Sequence, residues 1–120
     1  MREILGNHDI VEMEHSGAET ICCGSGGLVA IADPAACSRQ AEVRMAEFRQ
    51  VSAARCVTCC INCALTLSAA ALGKVRHILE IVFNRPVDYT AIQRRSEAMW
   101  QGEPGKVNLK RLAESTPFRP

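Results

Sequence analysis

Aromatic side chains are scarce in this chain: Phe, Tyr and Trp make up 4% of its 120 residues. That leaves little from which to build a base-stacking platform for nucleic acid. An excess of one charge is lacking too. The formal net charge is +1, and basic residues adjoin only at Arg94-Arg95 and Lys110-Arg111. Neither nucleic acid nor an anionic membrane is therefore an expected partner. No apolar run reaches the roughly 18 residues that span a bilayer. The best candidate, residues 61–72, is shorter and holds Asn62, Thr66 and Ser68. The first residues, Met1-Arg2-Glu3-Ile4-Leu5, lack the apolar core of a signal peptide. No membrane insertion and a cytoplasmic location are the resulting expectations.

Two further absences narrow the chemistry. Gly24 to Gly27 are not followed by the Lys-Ser/Thr of a P-loop, and they lack the GxGxxG order. No Ser-His-Asp or Cys-His nucleophile set is legible. The three histidines, His8, His15 and His77, show no ligand-like spacing, so they read as surface or loop residues.

What the chain does have is cysteine, seven in all. An odd, clustered set in a cytoplasmic setting argues against a disulfide framework and for a metal, a cluster or redox exchange. Cys22-Cys23-Gly24-Ser25-Gly26-Gly27 places adjacent thiols beside a glycine-rich turn. Cys60-Ile61-Asn62-Cys63 is a CxxC, with 36 residues between Cys23 and Cys60. Thiolates ligate soft metals and iron–sulfur clusters, and glycine lets the backbone close around such a centre.

The chain reads as one α/β domain over residues 1–102, followed by an irregular tail over 103–120. Hydrophobic content of 48% is enough for a core. Residues 2–5 look like the last turn of a helix. Residues 9–13 alternate and carry β-branched side chains, which predicts a short strand. Asp33-Pro34 is a strong helix start, capping a helix to about Val51. Its apolar stripe is Cys37, Ala41, Met45 and Phe48, with Arg39, Arg44 and Glu47 elsewhere. Residues 55–59 read as a buried strand, 61–72 as a buried helix ended by Gly73, and 75–78 as another strand. A helical turn follows over 79–83. Asp88 caps a last helix over 89–101, closed by Gly102. The result is a small Rossmann-like parallel sheet of about three strands flanked by helices.

Ligands in such sheets sit at the carboxyl ends of strands, often near helix N-termini. Cys59 and Cys60 lie where a strand turns into a helix, and Cys22 and Cys23 lie before another helix. Helix N-termini there would favour thiolates. Gly24, Gly26 and Gly27 would let backbone approach the sulfurs. Cys37 and Cys56 read as core, because free cysteine packs as a small hydrophobe. Cys59 divides evenly between core and site.

Ile21-Cys22-Cys23-Gly24-Ser25-Gly26-Gly27, a helix, and then Val57-Thr58-Cys59-Cys60-Ile61-Asn62-Cys63 resemble the cysteine-rich CCG domain. That domain occurs in the catalytic subunit of heterodisulfide reductase and in related iron–sulfur oxidoreductases. The resemblance covers roughly residues 2–72. It implies a cluster, 4Fe–4S and often non-cubane, that passes electrons to a disulfide or thiol substrate. By position, Cys22, Cys23, Cys60 and Cys63 would be its ligands. Cys59 replaces a small residue of the family, and Ile61 a proline. The family's opening strand and first cysteine have no counterpart before Cys22, so the chain reads as truncated relative to that family. Other subunits of an electron-transfer complex are the implied partners.

Three alternatives stand beside it. The four thiolates can hold one structural zinc. Cys60 and Cys63 can act as a metal-free exchange pair. A cofactor-free remnant can serve as a scaffold, or dimerise through an exposed sheet edge.

Overall fold

The computed structural model describes residues 2–115, which form two compact units divided between Val87 and Asp88. The first unit holds the sheet and every cysteine. Its elements are α1 (Val29–Ala32), α2 (Pro34–Gln50), β1 (Cys56–Thr58), α3 (Ile61–Ala70), β2 (Val75–His77) and α4 (Ile78–Val82). The second unit holds α5 (Tyr89–Ala98) and α6 (Gly102–Ser115).

β1 and β2 run parallel, with Cys56 opposite Val75 and Thr58 opposite His77. A parallel pair needs a crossover, and α3 supplies it. The fold is a small, open α/β arrangement of two strands flanked by helices.

α2 forms where the capping chemistry dictates. The Asp33 carboxylate accepts from the Ala36 amide at 2.9 Å, and Pro34 occupies the first turn. The stripe of Cys37, Ala41, Met45 and Phe48 is buried, as its spacing implies. Met45 and Val75 are the largest wholly buried side chains. Around them pack Cys23, Ala41, Phe48, Cys56 and Leu67, so both expected core cysteines, Cys37 and Cys56, are inside. Burial pushes the Cys56 thiol up, against a smaller opposing pull from the Arg44 charge.

Three expectations are corrected. Residues 9–13 form no strand. Ile10 and Val11 stay exposed, and no neighbouring strand lies alongside to satisfy an extended backbone. Met13 alone reaches the core. Next to it, side chains rather than a ladder tie the segment down. The Arg44 guanidinium donates to the His15 carbonyl at 2.7 Å, and Glu47 is paired with both Arg44 and His15. Arg44 and Glu47 are therefore buried on a side of α2 that reads from sequence as solvent-facing.

The second correction concerns the end of the chain. The tail expected to be irregular from residue 103 is helical through Ser115, and Gly102 opens that helix instead of only closing the previous one. Residues 116–120 of that tail lie outside the described residues. The amide side chain of Asn108 reaches back to the Met99 carbonyl at 2.7 Å.

The third is His77. It is no loop histidine: it ends β2 and caps α4. Its Nδ1 accepts from the Leu79 amide at 3.3 Å, while the Glu80 carboxylate accepts from the His77 amide at 2.8 Å. This is a capping box with imidazole in the place of the usual hydroxyl.

Candidate functional site

Two loops carry the motif cysteines, and each is braced differently. The first spans Cys22 to Gly27. It does not follow a strand, and the flank of α2, not its N-terminus, backs it. Gly24 makes this possible. Its φ is +93°, and an added Cβ would lie 2.7 Å from the Cys37 carbonyl oxygen and 2.9 Å from the Gln40 Cβ. Only glycine fits a backbone this close to α2 in this conformation. Gln40 reinforces the contact by donating from Nε2 to the Cys22 carbonyl at 3.1 Å. Gly26 and Gly27 form a short 3-10 turn and face open space, so they leave room without packing on anything.

Within this loop the two thiols part company. Cys22 is exposed, and its sulfur accepts from the Gly24 amide at 3.3 Å. Cys23 is buried in the core, with its sulfur 3.1 Å from the Ser25 hydroxyl.

The second loop follows β1, as a carboxyl-end site should. Cys60 is the N-cap of α3, and its amide donates to the Thr58 hydroxyl at 3.2 Å. Cys59 and Cys60 are exposed, whereas Cys63 is half-buried and packs against the core. His77 holds this loop from the neighbouring strand. Its Nδ1 accepts from Leu79, which leaves the proton on Nε2, and Nε2 donates to the Cys59 carbonyl at 3.0 Å.

The loops meet sulfur to sulfur. Cys63 Sγ donates to Cys23 Sγ at 3.1 Å. Cys23 and Cys63 thus meet, while Cys22, Cys59 and Cys60 are exposed.

The thiols titrate apart as a result. Burial pushes Cys23 up, yet hydrogen bonds from the Ser25 hydroxyl and amide, and from Cys63, together hold it below the ordinary thiol value. Cys60 is lowered by the Cys63 amide at the start of α3 and by the Cys63 thiol. Cys63 moves the other way. Burial raises it, and so do its hydrogen bond to Cys23 and the neighbouring sulfur charges. Cys63, kept protonated, is thus the donor in its contact with Cys23.

A single zinc with Zn–S bonds of about 2.3 Å would draw its four sulfurs to about 3.8 Å from one another. Among the described residues no three cysteine sulfurs lie within 4.8 Å of one another. The one group of possible ligands that meets that limit is Glu14, His15 and Glu47. Its central carboxylate is already neutralised by the buried Arg44, so the group is an ion-pair network holding residues 13–16 to α2. No helix of the described residues is long and apolar enough to cross a membrane.

Sequence reasoning named the four motif cysteines but missed their braces. His77 was detectable in principle, because His77-Ile78-Leu79-Glu80 has the spacing of a capping box. Gln40 carried no signal, since nothing local predicts a bond to Cys22, 18 residues away.

Comparison with curated proteins and with solved structures gives no match. A family model described as a cysteine-rich domain, CCG, matches residues 1–68. That is more than half of the 120 residues, and it takes in both cysteine loops and the helix between them, so the chain belongs to the cysteine-rich CCG domain family.

Proposed function

We propose that this chain is an iron–sulfur redox domain that works inside a larger, heterodisulfide-reductase-like oxidoreductase. The supporting observation is the contact of Cys23 with Cys63 from two separate loops, each of which also carries an exposed motif cysteine, Cys22 and Cys60. The donor set is soft, anionic when ionised, and flanked by backbone amides, which suits a thiolate-ligated cluster.

Cys22, Cys23, Cys60 and Cys63 would hold the cluster, 4Fe–4S in type. When bound, it would supply electron transfer to a disulfide or thiol substrate. The chain's own residues do the rest. Gly24 presses the first loop onto α2, Gln40 fixes the Cys22 carbonyl, and His77 fixes the Cys59 carbonyl. The Ser25 hydroxyl bonds to the Cys23 sulfur, the type of contact through which a protein tunes a cluster's potential. Cys23 and Cys63, now in contact, would part to admit the group.

Anaerobic reconstitution with iron and sulfide tests the reading. Iron and acid-labile sulfide in equal, stoichiometric amounts with visible charge-transfer absorption are expected. A colourless chain that binds stoichiometric zinc and no iron would overturn it.

A further inference from the structure

Cys60, Cys63 and Cys23 form a series running from solvent to core. Cys60 is exposed, Cys63 is half-buried and Cys23 is buried. Cys63 touches Cys23, and it lies in the first turn of the helix that Cys60 caps. We propose that the metal-free chain reduces small, accessible disulfides through this three-thiol relay, and that the relay comes to rest as a disulfide between Cys23 and Cys63. This activity goes beyond the cluster reading and does not depend on it.

Geometry favours the cross-loop bond. A disulfide is about 2.05 Å long, so sulfurs now 3.1 Å apart need close by only about 1 Å. The competing bond, Cys60 to Cys63, would leave one sulfur at the exposed N-cap of α3, open to attack by any thiol in solution. Exposed disulfides are the labile ones. The Cys23–Cys63 bond would lie against the core, shielded by Ala41, Met45 and Phe48.

The chemistry balances in three exchanges. The Cys60 thiolate attacks one sulfur of the small disulfide, forming a mixed disulfide and releasing the first small thiol. Cys63 attacks the Cys60 sulfur, and the second small thiol leaves. The proton of Cys63 passes to Cys23, to which it is already directed. Cys23 then attacks the Cys63 sulfur, and Cys60 departs with the proton as a thiol. One small disulfide has gained two electrons and leaves as two thiolates, which take their protons from solvent. Cys23 and Cys63 have lost the two electrons, and the proton of Cys63 ends on Cys60, which returns to its thiolate by releasing it to solvent.

The test uses the full chain, reduced, stripped of metal with a chelator, and mixed anaerobically with one equivalent of oxidised glutathione. After acid quenching, free thiols are alkylated and the unreduced peptides are mapped by mass spectrometry with fragment-ion assignment. The expected end product links the Cys23 peptide to the Cys63 peptide, with Cys60 alkylated and two equivalents of glutathione released. A final Cys60–Cys63 disulfide, or glutathione retained on Cys60 with Cys23 free, would overturn the relay. Cys60→Ser should slow glutathione release at least tenfold, and Cys23→Ala should halt the chain at Cys60–Cys63. Release at the unaltered rate from Cys60→Ser would remove Cys60 as the entry point. Because the main mapping uses the unsubstituted chain, misfolding of a variant does not blur the outcome.

Discussion

The two cysteine loops reach the same place by different means. The Cys22 to Gly27 loop is braced through its backbone. Gly24 lies hard against α2 in a conformation closed to other residues, and Gln40 clasps the preceding carbonyl. The Cys59 to Cys63 loop is braced by secondary structure. It joins β1 to α3, and His77 reaches across from β2 to hold it. Each loop sends one sulfur inward and leaves one outward: Cys23 and Cys63 in, Cys22 and Cys60 out. The lesson is that a thiol pair gains directionality from its brace. The first loop should be brittle to substitution, and the second should yield gradually.

Gly24→Ala is the strongest way to break that contrast. It forces a positive φ on a residue with Cβ, for about 1–3 kcal/mol, and overpacks against α2, for about 1–3 kcal/mol more. Chemical denaturation should show a loss of about 3 kcal/mol or more. Gly26→Ala, two residues on and facing open space, should stay within about 0.5 kcal/mol. Equal costs at the two glycines would remove the close approach from the account.

His77→Ala probes the other brace and should cost less. It removes a helix cap, worth about 0.5–2 kcal/mol, and the bond to the Cys59 carbonyl, worth about 1 kcal/mol. Amide exchange at residues 59–63 should accelerate, while exchange across residues 22–27 stays as it was. Matching acceleration in both loops would mean the braces are not separate.

The inward thiols should also split in their pH dependence. Cys63 is held above the ordinary thiol value of 9.0, chiefly by burial. A raised folded-state value stabilises fully below the unfolded value, and the benefit is lost as pH climbs through the folded one. Cys63 therefore makes stability fall in the alkaline range above about 9. Cys23 is lowered, so its contribution is present above the unfolded value and is lost as pH falls through the folded one. Cys63→Ala should flatten the loss above about 9, and Cys23→Ala should remove a gain in stability that builds as pH rises toward about 9. Denaturant midpoints measured below and above that value would show the opposite signs.

Ser25→Ala should be the smallest change. The Cys23 thiol loses a hydrogen bond that lowers it while its burial remains, so its thiolate absorbance should appear at higher pH. Stability should move by no more than about 1 kcal/mol.

Much of this was legible in the chain. The stripe of Cys37, Ala41, Met45 and Phe48, the Asp33 cap and the β1–α3–β2 order follow from local periodicity and capping. Of the thiols in the CCG and CxxC motifs, Cys23 and Cys63 come into contact, while Cys22 and Cys60 are exposed. What stayed hidden depends on contacts distant in sequence. The alternation of residues 9–13 promised a strand, but a strand exists only where a neighbour pairs with it. Arg44 and Glu47 read as solvent-facing because helical periodicity cannot foresee that residues 13–16 cross that face. The helix over Gly102–Ser115 was hidden by Pro104 and two glycines, which sit in its first turn, where they are tolerated. Cys59, undecided between core and site, is exposed and ends as the residue whose carbonyl carries the brace.

The central claim is that two differently braced loops form one site from Cys22, Cys23, Cys60 and Cys63. Differential alkylation with mass-spectrometric mapping, before and after anaerobic loading with iron and sulfide, tests it most directly. The account predicts that those four thiols become protected together, in one step, while exposed Cys59 remains fully labelled. Protection confined to one loop, or labelling of all four at unchanged rates in the loaded chain, would contradict it.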